Sequence, residues 1–206
     1  MKSLNLVGAF FCANFERYQE MKLPQYIQSY FGISDTDVNK VVELFEETTL
    51  NKGDYYVKAG HYCNQLSFIQ EGFIRVWSET PTKEITQWIS TPGYFITDLS
   101  SLIFKTTARW NLQALTDCKL YTIKQERYNQ INHLVDNWDE LEKLFIAKCF
   151  LTLEDRVFSQ ISMTAEERYQ QLFELNPGLF NQVPLQYLAS MLGMSPETFS
   201  RIRAKS

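Results

Sequence analysis

Apolar positions follow three rhythms along this chain. Within residues 1–49 they fall at helical spacing: Leu23, Tyr26, Ile27 and Tyr30 share one face, as do Val38, Val41, Val42 and Phe45 after a capping region at Ser34 and Asp35. Residues 50–125 switch to short runs rich in β-branched and aromatic residues: 55–57, 66–69, 73–77, 85–89, 112–115 and 120–123. Gly53, Gly60, Gly72 and Gly93 stand at the breaks, and Arg75 sits between apolar neighbours on a two-residue period. Short strands with regular turn signals predict a sandwich, jelly roll or barrel rather than βαβ units.

Helical spacing returns over residues 126–163, where Asp136 can cap a run carrying Trp138, Leu141, Leu144, Phe145, Leu151 and Phe158. Leu144, Leu151 and Phe158 lie seven residues apart, a heptad-like seam broken nearby by Lys148 and Asp155. Taken alone, that seam fits packing on the β-rich part as well as a dimer. Thr164 and Glu167 form a capping box that opens a further helix bearing Tyr169, Leu172, Phe173 and Leu175, which ends at Asn176-Pro177-Gly178. Residues 179–183 link it to the last segment.

That segment, Pro184 to Ser206, reads as a helix-turn-helix. Ala189 is small where two helices must pass closely, and Gly193 falls in the turn, where a positive φ is cheap only without a Cβ. Leu188, Leu192, Met194, Phe199 and Ile202 take the inward positions. Ser195-Pro196-Glu197 then starts the second helix with a hydroxyl cap, a proline at N1 and an acid in the first turn. A helical hairpin of an ordinary core shares the apolar spacing, but not the coincidence of alanine, glycine and start signal.

Composition changes the picture little. The 206 residues, 45% hydrophobic and 15% aromatic, suit one large or two small domains with a real core. No apolar run reaches the ~20 residues of a membrane span. The first fifteen residues resemble a weak signal peptide without its cleavage pattern. A net charge of −4 does not announce a nucleic-acid binder, yet the last twelve residues carry Arg201, Arg203 and Lys205 against Glu197 alone. Such a local basic helix can dock on phosphates, because charges beyond about 10 Å are screened. Cys12, Cys63, Cys118 and Cys149 are scattered without metal spacing, and His61 and His133 are the only histidines, so no structural zinc site and no metal are expected. Cys63 and Cys118 are placed on predicted β-segments, and the thiols are expected to be reduced.

Helices, a glycine-punctuated β-segment, a long helix and a C-terminal helix-turn-helix, in that order, resemble the catabolite activator protein and fumarate–nitrate regulator (Crp–Fnr) family. The likeness covers roughly residues 21–206 and rests on KGDYYVKAGHYCNQLSFIQEGFIRVW, PGYFITDLSSLIF and the 184–203 segment. MTAEERYQQLFELNPGLFNQVPLQYLASMLGMSPETFSRIR is similar to the short-winged or wingless members. The resemblance implies an α+β fold of class double-stranded β-helix (jelly roll, cyclic-nucleotide-binding-like) with a long dimerisation helix and a helix-turn-helix. Its expected divisions are an extension over 1–20, a β-roll with N-terminal helices over 21–135, the long helix over 136–163 and a DNA-binding domain over 164–206. The extension has no counterpart in the family and is expected to be dispensable.

In the family's nucleotide cassette a Gly-Glu pair binds the ribose and an Arg-Ser/Thr pair binds the cyclic phosphate. Thr97-Asp98 and Ala108-Arg109 stand at those places here, so the ligand-pocket residues carried over are Thr97, Asp98, Ala108 and Arg109. Alanine replaces the phosphate arginine, and an arginine one residue along a strand faces the other way. Cyclic nucleotide is therefore not expected to be a cofactor, and another small-molecule effector would be unknown. The iron–sulfur ligand spacing of one branch is absent, and no haem motif surrounds His61, Cys63 or His133.

The DNA-reading residues transfer better. Glu197, Ser200 and Arg201 repeat the family's E-x-x-S-R pattern on one helical face, where a carboxylate can accept from cytosine N4 and a guanidinium can bridge guanine N7 and O6. Thr198 and Arg203 would position phosphates, and Pro196 replaces a further arginine of the catabolite-activator branch. The implied function is a cytoplasmic, homodimeric, sequence-specific regulator of transcription. Its implied partners are double-stranded DNA, a second copy, RNA polymerase and a possible effector, with no membrane. The alternative is a regulatory module whose β-roll binds a ligand or protein without specific DNA binding. An enzyme is not expected: a roll-based metal oxygenase needs two histidines and a carboxylate at a spacing the chain lacks.

Overall fold

A computed structural model describes residues 22–205 and divides them into two units, 22–144 and 145–205. The extension over 1–20, and with it Cys12, lies outside the described residues.

Two helices open the first unit. Helix α1, Leu23–Phe31, buries Leu23, Tyr26, Ile27 and Phe31 and stops at Gly32. Ser34 caps α2, Asp35–Val42, accepting from the Asp37 amide at 3.2 Å. The helical reading of residues up to 49 fails beyond that point, because residues 46–50 form strand β1. Its Thr48 and Thr49 are β-branched, and it finds a full antiparallel partner, so a long-range ladder overrides the local pattern.

Eight strands follow one another: β1 Glu46–Leu50, β2 Tyr55–Val57, β3 Gln65–Glu71, β4 Ile74–Glu79, β5 Glu84–Ser90, β6 Phe95–Ile96, β7 Asn111–Ala114 and β8 Cys118–Lys124. They form two four-stranded antiparallel sheets, in the orders β1-β8-β3-β6 and β2-β7-β4-β5. Consecutive strands thus alternate between the sheets except at the β4–β5 hairpin, as in a double-stranded roll. Val57, Ile69, Ile74, Ile96, Leu112 and Leu120 belong to its apolar core. Gly72 is required at its turn: φ is 93°, and a Cβ there would meet the Asp117 carbonyl at 2.5 Å and the Cys118 sulfur at 2.6 Å. Cys63 lies in the loop before β3 rather than on a strand.

Short helices α3, Leu99–Phe104, and α4, Gln125–Tyr128, flank the roll. The long helix α5 runs from Trp138 to Ser162. It starts after Asn137, which is left-handed at φ 57°, so the chain turns one residue beyond the expected Asp136 cap. Trp138 packs its ring on Phe31 and Tyr128, 4.8 and 6.0 Å between centroids, fixing the start of α5 to the first unit.

The remainder of α5 belongs to the second unit, with α6 Ala165–Leu175, α7 Leu179–Gln182, α8 Leu185–Met191 and α9 Pro196–Arg203. The capping box of α6 forms as read, Thr164 and Glu167 satisfying each other's backbone amides. The linker over 179–183 is mostly a helical turn. Tyr169, Phe180 and Phe199 meet with centroids 5.2–5.8 Å apart at the centre of this unit. No helix among the described residues is long and apolar enough to cross a membrane.

Candidate functional site

Helix α9 is anchored on one face and free on the other. Phe199 and Ile202 are buried, as are Leu188, Ala189 and Leu192 of the preceding helix and turn. Gly193 has φ 69°, and Ser195 accepts from the Thr198 amide at 3.2 Å. The opposite side presents Glu197, Ser200, Arg201 and Arg203 to solvent, with Thr198 half-buried. The Ser195 hydroxyl and a backbone amide hold the Glu197 carboxyl below the usual range, so it is ionised near neutrality. Neither arginine is engaged in an ion pair or side-chain hydrogen bond among the described residues, whereas Lys205 lies 3.7 Å from Glu166. The result is a rigid, capped helix whose unpaired cations and one carboxylate face outward, and its chemistry suits contacts to phosphates and base edges.

A second exposed feature lies on α5. Leu144, Leu151 and Phe158, the seven-residue seam, are all exposed, and so are Phe150, Leu153, Val157 and Ile161. So many large apolar side chains on one helix form a patch of the kind that marks an interaction surface.

The cassette residues come together at α3, but their polar groups are already used. Asp98 is only 5% exposed and caps α3: its carboxylate accepts from the Ser101 amide at 2.9 Å, the Ser100 hydroxyl at 2.6 Å and the Arg109 amide at 3.1 Å. Thr97 donates to the Gln65 carbonyl at 2.8 Å. Ala108 sits in the roll core, its backbone exchanging hydrogen bonds with His61 and Gly60 at 2.8 Å. The Arg109 side chain is exposed, its guanidinium 6.0 Å from the centre of the Trp110 ring. Ala108 and Arg109 precede β7 rather than lying on a strand, with the Ala108 methyl in the core and the Arg109 guanidinium outside it.

Sequence reasoning missed two polar arrangements in the roll. Tyr56, Ser67, Thr122 and Thr48 form a chain of hydroxyls at 2.9, 2.7 and 2.6 Å, the first of them buried enough to hold its phenol proton far above the normal range. Arg75 faces away from the roll core yet is 2% exposed, donating to Thr86 and Glu84 at 2.8 and 2.7 Å and stacking 4.9 Å over Trp77. Its alternation with Ile74 and Val76 was legible, but partners on a neighbouring strand were not. A cavity of about 420 Å³ opens beside Tyr56, Cys63, Gln65, Lys124 and Gln125. Among the described residues no cluster of three or more histidine, cysteine or acidic side chains could hold a metal ion. Burial pushes the Cys118 and Cys149 thiols up to about 11, keeping them protonated and poor as ligands or nucleophiles.

Residues 47–132 match the cyclic nucleotide-binding domain. No curated protein matches the chain. Solved structures do. The c-di-GMP responsive global regulator CLP of Xanthomonas campestris is 17% identical, with 84% of this chain and 91% of that one covered at a TM-score of 0.63. FixK2 of Bradyrhizobium japonicum is 16% identical over 78% of this chain and 83% of its own, at 0.65. The catabolite activator protein of Thermus thermophilus is 18% identical over 84% of each chain, at 0.54. At such identities the likeness is one of fold, and it extends past the roll into the C-terminal helices. Residues 47–132 thus have the fold of a cyclic nucleotide-binding domain and are followed by a C-terminal helical region, an arrangement the chain shares with these three structures.

Proposed function

We propose that this protein is a cytoplasmic, homodimeric, sequence-specific DNA-binding regulator of transcription. In this reading α8, the Gly193 turn and α9 are a helix-turn-helix, α5 is the dimerisation helix, and the roll retains the fold of a nucleotide sensor with a degenerate phosphate site. The observation that carries the proposal is α9 itself. Phe199 and Ile202 fix it from one side, while Glu197, Ser200 and Arg201 project together from the other. An isologous pair of such chains, joined along the apolar side of α5, would present two reading helices for half-sites about 34 Å apart.

Glu197 and Arg201 carry base discrimination, Ser200 supports them on the same face, and Thr198 and Arg203 position phosphates. Duplexes selected from random DNA by the wild-type protein supply the test. Arg201→Ala is expected to weaken binding by about 1–3 kcal/mol and to relax preference at one guanine. Arg203→Ala is expected to weaken all sequences alike and to lower the salt slope by about one unit. Equal losses on matched and mismatched duplexes for Arg201→Ala would mean that α9 docks differently.

Cyclic AMP and cyclic GMP bind weakly or not at all, because Asp98 is spent on its own helix cap and Ala108 offers no donor for the phosphate. A cyclic phosphate buried without its guanidinium forfeits hydrogen bonds worth a few kcal/mol. Titration calorimetry should therefore show no saturable heat at micromolar nucleotide. A dissociation constant at or below the micromolar range, about −8 kcal/mol, would overturn this account of the pocket.

A further inference from the structure

The end of α8 is closed twice over. Met194 donates to the Ala189 carbonyl at 3.0 Å and Gly193 to the Ser190 carbonyl at 3.1 Å, the paired bonds of a Schellman motif. That pattern leaves the last two carbonyls, of Met191 and Leu192, without intrahelical donors. Side chains from elsewhere reach both. Gln160, in the last turns of α5, donates to the Met191 carbonyl at 3.4 Å. Arg168 of α6 donates from Nε to the Leu192 carbonyl at 2.9 Å, and from Nη1 to the Met163 carbonyl at 2.6 Å.

One guanidinium therefore bridges the carbonyl just past the end of α5 and the one at the end of α8. Both are negative helix ends, where a cation is favoured. The Gln160 side chain also lies against the turn: a Cβ on Gly193 would stand 2.9 Å from its amide oxygen. Arg168 is half-exposed rather than buried in the core.

We infer that Arg168, assisted by Gln160, is the positioning residue that couples the long helix to α9, setting the angle at which α9 is presented and passing displacements of α5 to it. The inference rests on the reading of α9 as the DNA-contacting helix, and names how that site is regulated. A planar guanidinium with two fixed donors suits the task, because both carbonyls must keep one mutual geometry for both bonds to survive.

The test uses the full chain with Arg168→Met, Arg168→Lys and Gln160→Leu. Arg168→Met keeps the apolar stem, and should lower affinity for the selected duplex about tenfold while changing affinity for unrelated DNA less than twofold. Arg168→Lys, which reaches the carbonyls with a single point donor, should recover part of the loss, and Gln160→Leu should lose about two- to threefold. A merely structural role would reduce specific and non-specific binding in proportion, with no partial rescue by lysine. That result overturns the inference, as does unchanged specific affinity. Amide exchange separates this from the DNA reading. If the wild type binds no duplex, the proposed function falls, and the clasp is judged by the Gly193 and Met194 amides. They should exchange faster in Arg168→Met while the α6 and α9 interiors stay protected, and unchanged exchange there overturns it.

Discussion

Leu151→Lys is expected to convert a dimer into a monomer at micromolar concentration and to lower operator affinity by two orders of magnitude or more. Leu151 is 44% exposed, and it lies between Leu144 and Phe158 on the exposed apolar side of α5. Fully burying one such side chain contributes about 1.5–3 kcal/mol, and two-fold symmetry counts each substitution twice. A lysine there removes that gain and adds the cost of desolvating an ammonium, so a weakening of the dimer by at least ~3 kcal/mol, about a hundredfold, follows. The loss of DNA affinity follows from valency: two tethered reading helices engage half-sites far better than either does alone. Sedimentation equilibrium gives the first effect and fluorescence anisotropy the second. Phe158→Lys should behave in the same way. Leu151→Ile, which keeps the apolar surface, should change either quantity little. A variant that stays dimeric would place the interface elsewhere, and one that turns monomeric with full operator affinity would break the link between pairing and reading.

The elements that local chemistry decides were readable in the chain. Six of the strands announce themselves as short runs separated by turn residues, and the capping box at Thr164 and the start at Ser195-Pro196 form as their residue types require. What long-range pairing decides was not readable. Residues 46–50 continue a helical rhythm on paper and become a strand because β8 is there to pair with them. The two-residue β6 exists only as a short partner of β3. The site divides along the same line. The exposed face of α9 follows from periodicity alone, since Phe199 and Ile202 fix the inward direction and place Glu197, Ser200 and Arg201 opposite. Asp98 shows the limit: its identity is visible in the sequence, but three donors from residues up to eleven positions away decide that its carboxylate is consumed internally. Arg168 is legible only as a charged residue in the first half of α6. Its two carbonyl partners belong to different helix ends, and nothing in local spacing announces them.

Phe199→Ala is expected to unfold the C-terminal unit while leaving the roll intact. Phe199 has no exposed surface and sits between Tyr169 and Phe180, with ring centroids 5.2 and 5.8 Å away. Truncating a buried phenylalanine costs about 3–5 kcal/mol, the transfer term plus the cavity left behind. A unit of about sixty residues has roughly 3–9 kcal/mol of stability in total, so the loss is most of what it has. The roll, with its own core around Ile69, Ile74 and Leu112, contains none of these contacts. Calorimetry should therefore show an early transition for the helical unit, moved well below that of the roll, where the wild type shows the two closer together. Phe199→Leu, which fills most of the volume, should cost far less, about 1–2 kcal/mol, because it leaves a smaller cavity. DNA binding then separates stability from reading. Phe199→Ala should lose matched and mismatched duplexes alike in proportion to the unfolded fraction, and should regain them on cooling towards the temperature of maximum stability. Arg201→Ala should lose discrimination at one base at every temperature, with its melting unchanged. If Phe199→Ala melts as the wild type does, the aromatic cluster does not hold α9. The outward face of that helix would then have no fixed direction from which to read.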